Sequence, residues 1–380
     1  MMKNVVVYGD GIIGKLTAIA LSKHFKVYIL LGNKLKIAKN NQDRYFSINL
    51  LSKFMFMKYG LWDDIYKNIY KGYNKIVTWH ESLKEDVIFK SSDISFDKLG
   101  YIIKEDCIKN ALDHKISTIQ NIFLTNPVDC KVDDIEFKIK SSYEKETLSN
   151  NTNYSFSKID YEQKAIVLNL TCGINNNQDT AFQRFHTGEI QGLLPISSNQ
   201  YNLIWSAKNS IIDKVKKIDD KKLITILNKS LEDKVGKITH LSERSMFPLM
   251  GYNSKKYLFN DTILIGGAAH SVHPLAGLGL NMGIQDIFIL TRCIEKYSNY
   301  RDALKKYECI CISDNNRFYH TINSLIKFYL EEIIPDIIRN KSLSLFNKNK
   351  LVKNKAIEIA TGIDKLSSLS KDEYCKPSYE

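Results

Sequence analysis

Asn4-Val5-Val6-Val7-Tyr8-Gly9-Asp10-Gly11-Ile12-Ile13-Gly14 is the stretch on which the fold of this 380-residue chain turns. Asn4 to Tyr8 is a short β-branched run that reads as a buried strand, and Lys15 to His24 reads as a helix. Lys26 to Leu31 follows as a second strand, so the segment opens a parallel βαβ unit. Between strand and helix lies a G-x-G-x-x-G turn. Its first glycine permits the tight bend, its second lets backbone approach a pyrophosphate, and its third lets the helix pack closely. The helix N-terminus then offers free N–H groups and the positive end of its dipole to the phosphates. Gly9, Gly11 and Gly14 are therefore candidates for holding a dinucleotide. An acidic residue at the end of the second strand normally accepts the ribose hydroxyls. Leu31 stands there instead.

Outward from this unit, Ser47 to Tyr59 and Asp63 to Tyr70 read as helices, and Ile76 to Lys90 as two strands about a turn at Leu83 to Asp86. A helix is expected over Glu105 to His114. Strands are expected at Ile122 to Thr125, Ile135 to Ile139, Ala165 to Leu170, Gly188 to Leu194 and Tyr201 to Ser206. Lys221 to Val235 carries helical periodicity, and Lys214 to Lys222 mixes charge signs as the solvated start of that helix. Thr262 to Ile265 reads as a buried strand running into a second glycine-rich segment and a helix over Leu280 to Lys296. The last third is mostly helical, with a polar tail after about Lys365.

The second glycine segment is the more specific: Ile265-Gly266-Gly267-Ala268-Ala269-His270-Ser271-Val272-His273-Pro274-Leu275-Ala276-Gly277-Leu278-Gly279-Leu280-Asn281. It resembles the stretch G-D-A-A-H-x-x-x-P-x-x-G-Q-G-x-N of flavin monooxygenases with the para-hydroxybenzoate hydroxylase fold. Further stretches resemble the ubiquinone-biosynthesis branch of that family. They include Asp43-Arg44 with Ser47-Ile48-Asn49, Gly60-Leu61-Trp62, Leu99-Gly100-Tyr101-Ile102, and Tyr161 to Val167. Thr180-Ala181-Phe182-Gln183-Arg184-Phe185, Leu193 to Ile196, Ile204-Trp205-Ser206, Phe247-Pro248-Leu249, Tyr307 and Asp314-Asn315 complete the set. The resemblance covers roughly residues 1–362.

The resemblance implies an α/β fold, with a Rossmann-like FAD-binding domain interleaved with a β-sheet substrate domain and closed by a helical C-terminus. It divides the chain into FAD-binding parts at 1–73, 96–160 (shortened) and 253–345. A substrate-domain hairpin at 74–95, a substrate domain at 161–252 and a helical tail at 346–380 make up the rest. FAD is the implied cofactor, NAD(P)H the electron donor, and O2 and a polyprenyl phenol the reactants. Gly9, Gly11, Gly14 and Arg44 would hold the adenine-nucleotide half. Gly266, Gly267, Pro274, Gly277, Gly279, Leu280 and Asn281 would shape the flavin-ring site, and Phe182 and Phe185 would line an apolar substrate cavity. No residue is nominated as an acid–base catalyst.

Several positions depart from the family pattern. Gly267 replaces the aspartate that contacts the ribityl chain, Leu278 replaces the loop glutamine, and the family's Asp-Gly element has no counterpart near Ser149 to Tyr154. Each lost carboxylate–hydroxyl hydrogen bond costs about 1–3 kcal/mol. Two such losses would weaken cofactor binding by about thirty-fold to more than ten-thousand-fold. A flavin-poor, non-enzymatic subunit of a quinone-biosynthesis assembly is therefore the first alternative. A plain nicotinamide dehydrogenase is the second, and Gly266 to Asn281 argues against it.

The bulk numbers set outer bounds. Hydrophobic residues at 44% and charged residues at 25% are the mix of an ordinary globular chain, which excludes disorder over most of its length. The net charge of +12 comes from lysines spread along the chain, without a zinc-finger, helix-turn-helix or RNA-binding signature, so no nucleic-acid partner is expected. Seven scattered cysteines without a C-x-x-C pair fit free thiols in a reducing compartment. Cys309 and Cys311 lie two apart on a helix and do not face each other. His270 and His273 lack an evident third partner for a metal. With no signal-peptide pattern and no run of roughly 18 apolar residues, the chain reads as cytoplasmic. Phe328-Tyr329-Leu330 and Ile333-Ile334-Pro335 precede Arg339, Lys341, Lys348, Lys350, Lys353 and Lys355. That pattern suits peripheral contact with an anionic membrane face.

Overall fold

The computed structural model describes residues 2–32, 43–67, 71–80, 84–126, 132–142, 155–173, 177–330 and 334–366. β1 (Asn4–Tyr8), α1 (Ile12–Leu21) and β2 (Lys26–Leu30) open the chain. β3 (Tyr45–Asn49) runs into α2 (Leu50–Lys58) and the short α3 (Trp62–Tyr66). Then come β4 (Lys71–Tyr73), β5 (Lys75–His80), β6 (Val87–Lys90), β7 (Gly100–Lys104) and α4 (Glu105–Ser117). β8 (Ile122–Thr125) and β9 (Ile135–Lys140) precede the long β10 (Phe156–Cys172), which β11 (Thr180–His186), β12 (Glu189–Pro195) and β13 (Gln200–Lys208) follow. After α5 (Asn209–Lys217) and α6 (Asp220–Val235) come β14 (Ile238–Leu241), β15 (Ser245–Ser254), β16 (Leu258–Phe259), β17 (Thr262–Leu264) and β18 (His270–Ser271). The rest is helical: α7 (Gly279–Lys296), α8 (Tyr300–Leu330), α9 (Asp336–Lys348), α10 (Lys350–Thr361) and α11 (Ile363–Leu366).

A six-stranded sheet, ordered β16-β17-β9-β1-β2-β8, is parallel except at its β16–β17 edge. Val5, Val6 and Val7 of the central β1 are all buried, so that strand is covered on both faces and reads as an apolar run rather than an alternating one. A larger mixed sheet is ordered β18-β15-β10-β13-β12-β11-β5-β6, with β14 beside β10. One face of it lies under α5 and α6. Leu223, Leu227 and Leu231, spaced four apart, are fully buried there. Each contributes about 1.5–3 kcal/mol, more than an exposed ion pair such as Lys164–Asp213 supplies. A third sheet, β3-β7-β4, is antiparallel.

Two local readings need correction. Ser47 to Asn49 is strand rather than helix, because Tyr45–Asn49 pairs antiparallel with Gly100–Lys104. The helix begins at Leu50, where the Asn49 side chain caps it by accepting from the Ser52 N–H at 2.9 Å. Lys214 to Lys222 is not the start of one helix: Lys214–Lys217 ends α5, and Asp220–Lys222 begins α6. Residues 68–70 of the expected 63–70 helix and the tail beyond Leu366 lie outside the described residues.

Candidate active site

The N-terminal turn is held by contact on two of its glycines and left open at the third. Gly9 has φ +112°, and a Cβ there would stand 2.7 Å from the Ser141 Oγ. A Cβ at Gly14 would stand 1.9 Å from the Gly9 carbonyl oxygen. At Gly11 a Cβ would meet nothing within 4 Å. Gly11 is also the N-cap of α1 and brings no side chain to cap it, so the helix's first N–H groups face that open side. Ser141, at the end of β9, braces the turn by donating to the Tyr8 carbonyl at 3.0 Å. Beyond Leu31, the Gly32 Cβ position lies 3.5 Å from Asp10 Oδ1, so a carboxylate from the turn itself reaches the end of β2. Arg44 precedes β3 with its side chain 68% exposed, over the Phe46 ring at 4.8 Å and 3.9 Å from Glu105.

The second glycine segment is fastened from beneath by a buried polar chain. Asp286 on α7 is fully buried. Its Oδ2 accepts from the Gly266 N–H at 2.9 Å and pairs with His270 Nε2 at 2.7 Å, while Oδ1 accepts from Asn315 Nδ2 at 3.0 Å. Asn315 also donates to the Tyr257 hydroxyl, which donates to Asn253 on β15. Gly266 and Gly283 lie against Ile13 of α1, at Cβ approaches of 3.1 and 2.8 Å, so no side chain fits between helix and loop. A lone Asp within the apolar run Ile284 to Leu290 was the signal for this network, and sequence reasoning missed it.

Asn281 is a structural clamp. Its amide donates to the Ser47 and Gly277 carbonyls at 2.8 and 3.2 Å, and its Oδ1 accepts from the Asn49 N–H and the Ser52 hydroxyl at 3.0 and 2.8 Å. The loop and β3 are thereby locked together, and Leu280 packs on the main core. Pro274 opens a tight turn closed by Gly277, whose φ is +62°. Gly279, the exposed first residue of α7, has nothing within 4 Å of its Cβ position, and Leu278 offers no side-chain cap. Gly267 is exposed, and its carbonyl accepts from the Tyr252 hydroxyl.

His270 and His273 take separate partners. Among the described residues, no group of three or more His, Cys, Asp or Glu is placed to hold a metal ion. His273 Nε2 donates to Gln163 Oε1 at 3.1 Å, and its Nδ1 accepts from the Leu275 N–H at 3.2 Å, which ties the loop to β10 as a neutral ring. Burial pushes its pKa down from 6.5 to about 4. Between those values the unfolded chain binds a proton that the folded chain excludes. The site's contribution is therefore complete above about pH 6.5 and falls with pH, by about 2 kcal/mol at pH 5. Thermal denaturation between pH 7 and 5 should show this loss, and His273→Gln should flatten it.

Phe185 stacks on Tyr329 of α8, with centroids 3.9 Å apart and an interplanar angle of 12°. Leu275 from the loop, Ile190, Ile322, Ile326 and Leu343 belong to the same cluster, so Phe185 faces the side of the second glycine segment. Phe182 does not. It packs with Tyr201, Trp79 and the α6 leucines in the core on the opposite face of the sheet. Its assignment to the substrate cavity is corrected accordingly, because residues three apart on a strand point to opposite faces.

These residues fit a flavin dinucleotide at both ends. Open space at Gly11 and Gly279 sits before two helix N-termini without side-chain caps, suited to the pyrophosphate and to an anionic ring. The midsection lacks the expected carboxylate at Gly267.

The family profile described as "FAD binding domain" matches residues 140–311. The mitochondrial ubiquinone biosynthesis monooxygenase COQ6 of Dictyostelium discoideum is 25% identical, over 94% of this chain and 91% of that protein. The 3-demethoxyubiquinol 3-hydroxylase of Escherichia coli is 22% identical, over 94% and 98%. In structure, p-nitrophenol 4-monooxygenase of Pseudomonas putida superposes with TM-score 0.72 at 14% identity, over 95% and 98% of the two chains. The chain thus carries a match to an FAD-binding domain and is similar, in sequence and in fold, to FAD-dependent monooxygenases. Within that class it is similar to the ubiquinone-biosynthesis hydroxylases.

Proposed function

We propose that this protein hydroxylates the aromatic ring of a polyprenylated phenol in ubiquinone biosynthesis, using FAD, NAD(P)H and O2. The observation that carries this reading is the buried aromatic and aliphatic cluster around Phe185 and Tyr329, to which Leu275 of the loop before α7 contributes. Bound FAD would supply the oxidising chemistry, taking electrons from NAD(P)H and activating dioxygen. Gly9, Gly11, Gly14 and Arg44 would hold its adenine-nucleotide half. Gly266, Gly267, Pro274, Gly277, Gly279 and Leu280 would border its ring, while Asn281 and His273 hold that border in place. Phe185 and Tyr329 would orient the substrate ring and exclude water. On this reading 1–73, 96–160 and 253–345 serve the cofactor, 74–95 and 161–252 the substrate, and 346–380 the closure.

The absorption spectrum of the purified protein, with the released cofactor identified, tests this. Near-stoichiometric FAD is expected, together with hydroxylation of a prenylated phenol. Protein that stays colourless with added FAD would instead favour the non-enzymatic subunit, the reading that exposed Gly267 supports.

The same reading places the protein on the inner face of a membrane by its C-terminal helices. Leu345 and Leu351 are 70% and 84% exposed, and Ile337, Ile338 and Val352 are exposed beside them. Lys341, Lys348 and Lys350 are exposed among these apolar residues. Arg339, grouped with that basic set from sequence, belongs instead to the interior, donating to the Phe328 carbonyl and pairing with Asp336. The inner side of α9, through Leu343 and Phe346, packs in the cluster around Phe185 and Tyr329. No described helix is long and apolar enough to cross a membrane, so contact would be peripheral. Charge reversal at the three lysines should weaken binding to anionic vesicles by roughly ten-fold or more, since each basic residue near such a surface contributes ~1 kcal/mol. Unchanged cosedimentation would remove the electrostatic attraction from this picture.

A further inference from the structure

α10 and α11 form a strap that reaches the second glycine segment through Asn49. The 12 residues of α10 bury only Ile357 and Thr361. A helix that short is marginal in water by itself, so α10 persists by docking. Ile357 packs with Tyr73 of β4 and Ala181 of β11, and Leu366 joins the main core. Gly362 ends α10 at φ +76°, and a Cβ there would stand 2.5 Å from that of Leu51 on α2, so the chain lies flush on that helix. Lys353 pairs with Asp93 at 3.8 Å near the start of the strap, and Lys365 with the buried Asp314 of α8 at 2.6 Å near its end.

Asn49 spends three polar groups in three directions. Its N–H donates to Asn281 Oδ1 at 3.0 Å, and its side-chain oxygen caps α2 by accepting from the Ser52 N–H at 2.9 Å. Its Nδ2 donates to the Ala360 carbonyl at 3.1 Å. That carbonyl is one of the last four of α10, which a helix leaves without an internal donor. Ser52, buried beside Asn49, donates its hydroxyl to the same Asn281 oxygen at 2.8 Å. Strap and loop clamp therefore hold opposite sides of one residue.

We propose that the strap, acting through Asn49, positions the Pro274 to Asn281 loop for the cofactor, and that strap docking and FAD binding strengthen each other. This rests on the flavin reading above and goes beyond it by assigning a control of that site. Where Leu31 and Gly267 supply no carboxylate, affinity depends the more on a loop held in place before the ligand arrives. Asn49 is a positioning residue, since it acts through Asn281. Docked and undocked straps are the two states, and a ligand that prefers the loop as the docked strap holds it shifts their balance by its difference in affinity. The coupling is reciprocal by linkage.

Hydrogen exchange over residues 350–366, read by mass spectrometry with and without saturating FAD, tests this. In the wild type FAD should slow exchange in α10 by about five-fold or more, while α6, on the substrate sheet, should slow much less. Asn49→Asp keeps the backbone N–H for Asn281 and an acceptor for the α2 cap, but turns an oxygen toward the Ala360 carbonyl. In this variant the FAD-linked slowing should shrink to about two-fold or less, with the melting temperature of the FAD-free protein nearly unchanged. Equal slowing of α10 and α6 in the wild type, or slowing undiminished in Asn49→Asp, would overturn the proposal in a protein that still binds FAD. A wild type that binds no FAD would overturn it together with the flavin reading, so the two failures are told apart.

Discussion

Gly14→Ala is expected to disrupt the N-terminal turn and, with it, both folding and cofactor binding. The added methyl would stand 1.9 Å from the Gly9 carbonyl oxygen, a backbone atom that cannot swing aside. Gly9 is itself confined at φ +112° against Ser141 and Ser142. Relief would require α1 to move away from β1, opening the core that Leu16, Ile19 and Val7 fill. A loss of about 4 kcal/mol or more follows, in the range reserved for backbone clashes and core disruption. Gly11→Ala is the informative contrast. Its methyl meets nothing and its φ of −75° suits any residue, so stability should stay within about 0.5 kcal/mol. The methyl would occupy the side on which a pyrophosphate approaches, so FAD affinity should fall at least ten-fold. Denaturation midpoints and FAD titrations of the two variants separate packing from binding.

Asp286→Ala is expected to have a comparable effect from the other side of the site. Three donors, from Gly266, His270 and Asn315, converge on a carboxylate with no solvent access. Removing the acceptor leaves all three buried and unmatched, and breaking such an arrangement costs about 3–5 kcal/mol. Asp286→Asn should cost somewhat less, about 2–3 kcal/mol, because its NH2 group would face a donor where an acceptor is needed. Chemical denaturation measures both. Near-neutral behaviour of the alanine variant would show that the network does not hold the loop.

The first βαβ unit was readable because its signals are local. A β-branched run, glycines at fixed offsets and an apolar helix lie within residues 4–30; β1 and β2 form where those signals place them, and α1 begins and ends three residues before the expected Lys15 to His24. The loop residues Pro274 to Asn281 were recognisable by type and order. Their mechanical roles were not, since Asn281 acts on Ser47 and Asn49 across more than two hundred residues of chain. The error at Ser47 to Asn49 has the same origin: a short polar–apolar stretch becomes strand only because β7 lies beside it.

By itself, then, the sequence determined the strand–turn–helix opening, the positions where backbone must come close to a ligand, and the absence of a carboxylate at Leu31 and Gly267. Each depends on residue type and short spacing alone. Tertiary structure decided which face of β11 meets the loop, separating Phe185 from Phe182. It also withdrew Arg339 from the basic surface and brought Tyr161 to Asn323 and His273 to Gln163. Those are matters of which side chains meet after the sheets and helices pack, and no local pattern encodes contacts such as Tyr161 to Asn323 or His273 to Gln163, between residues more than a hundred positions apart.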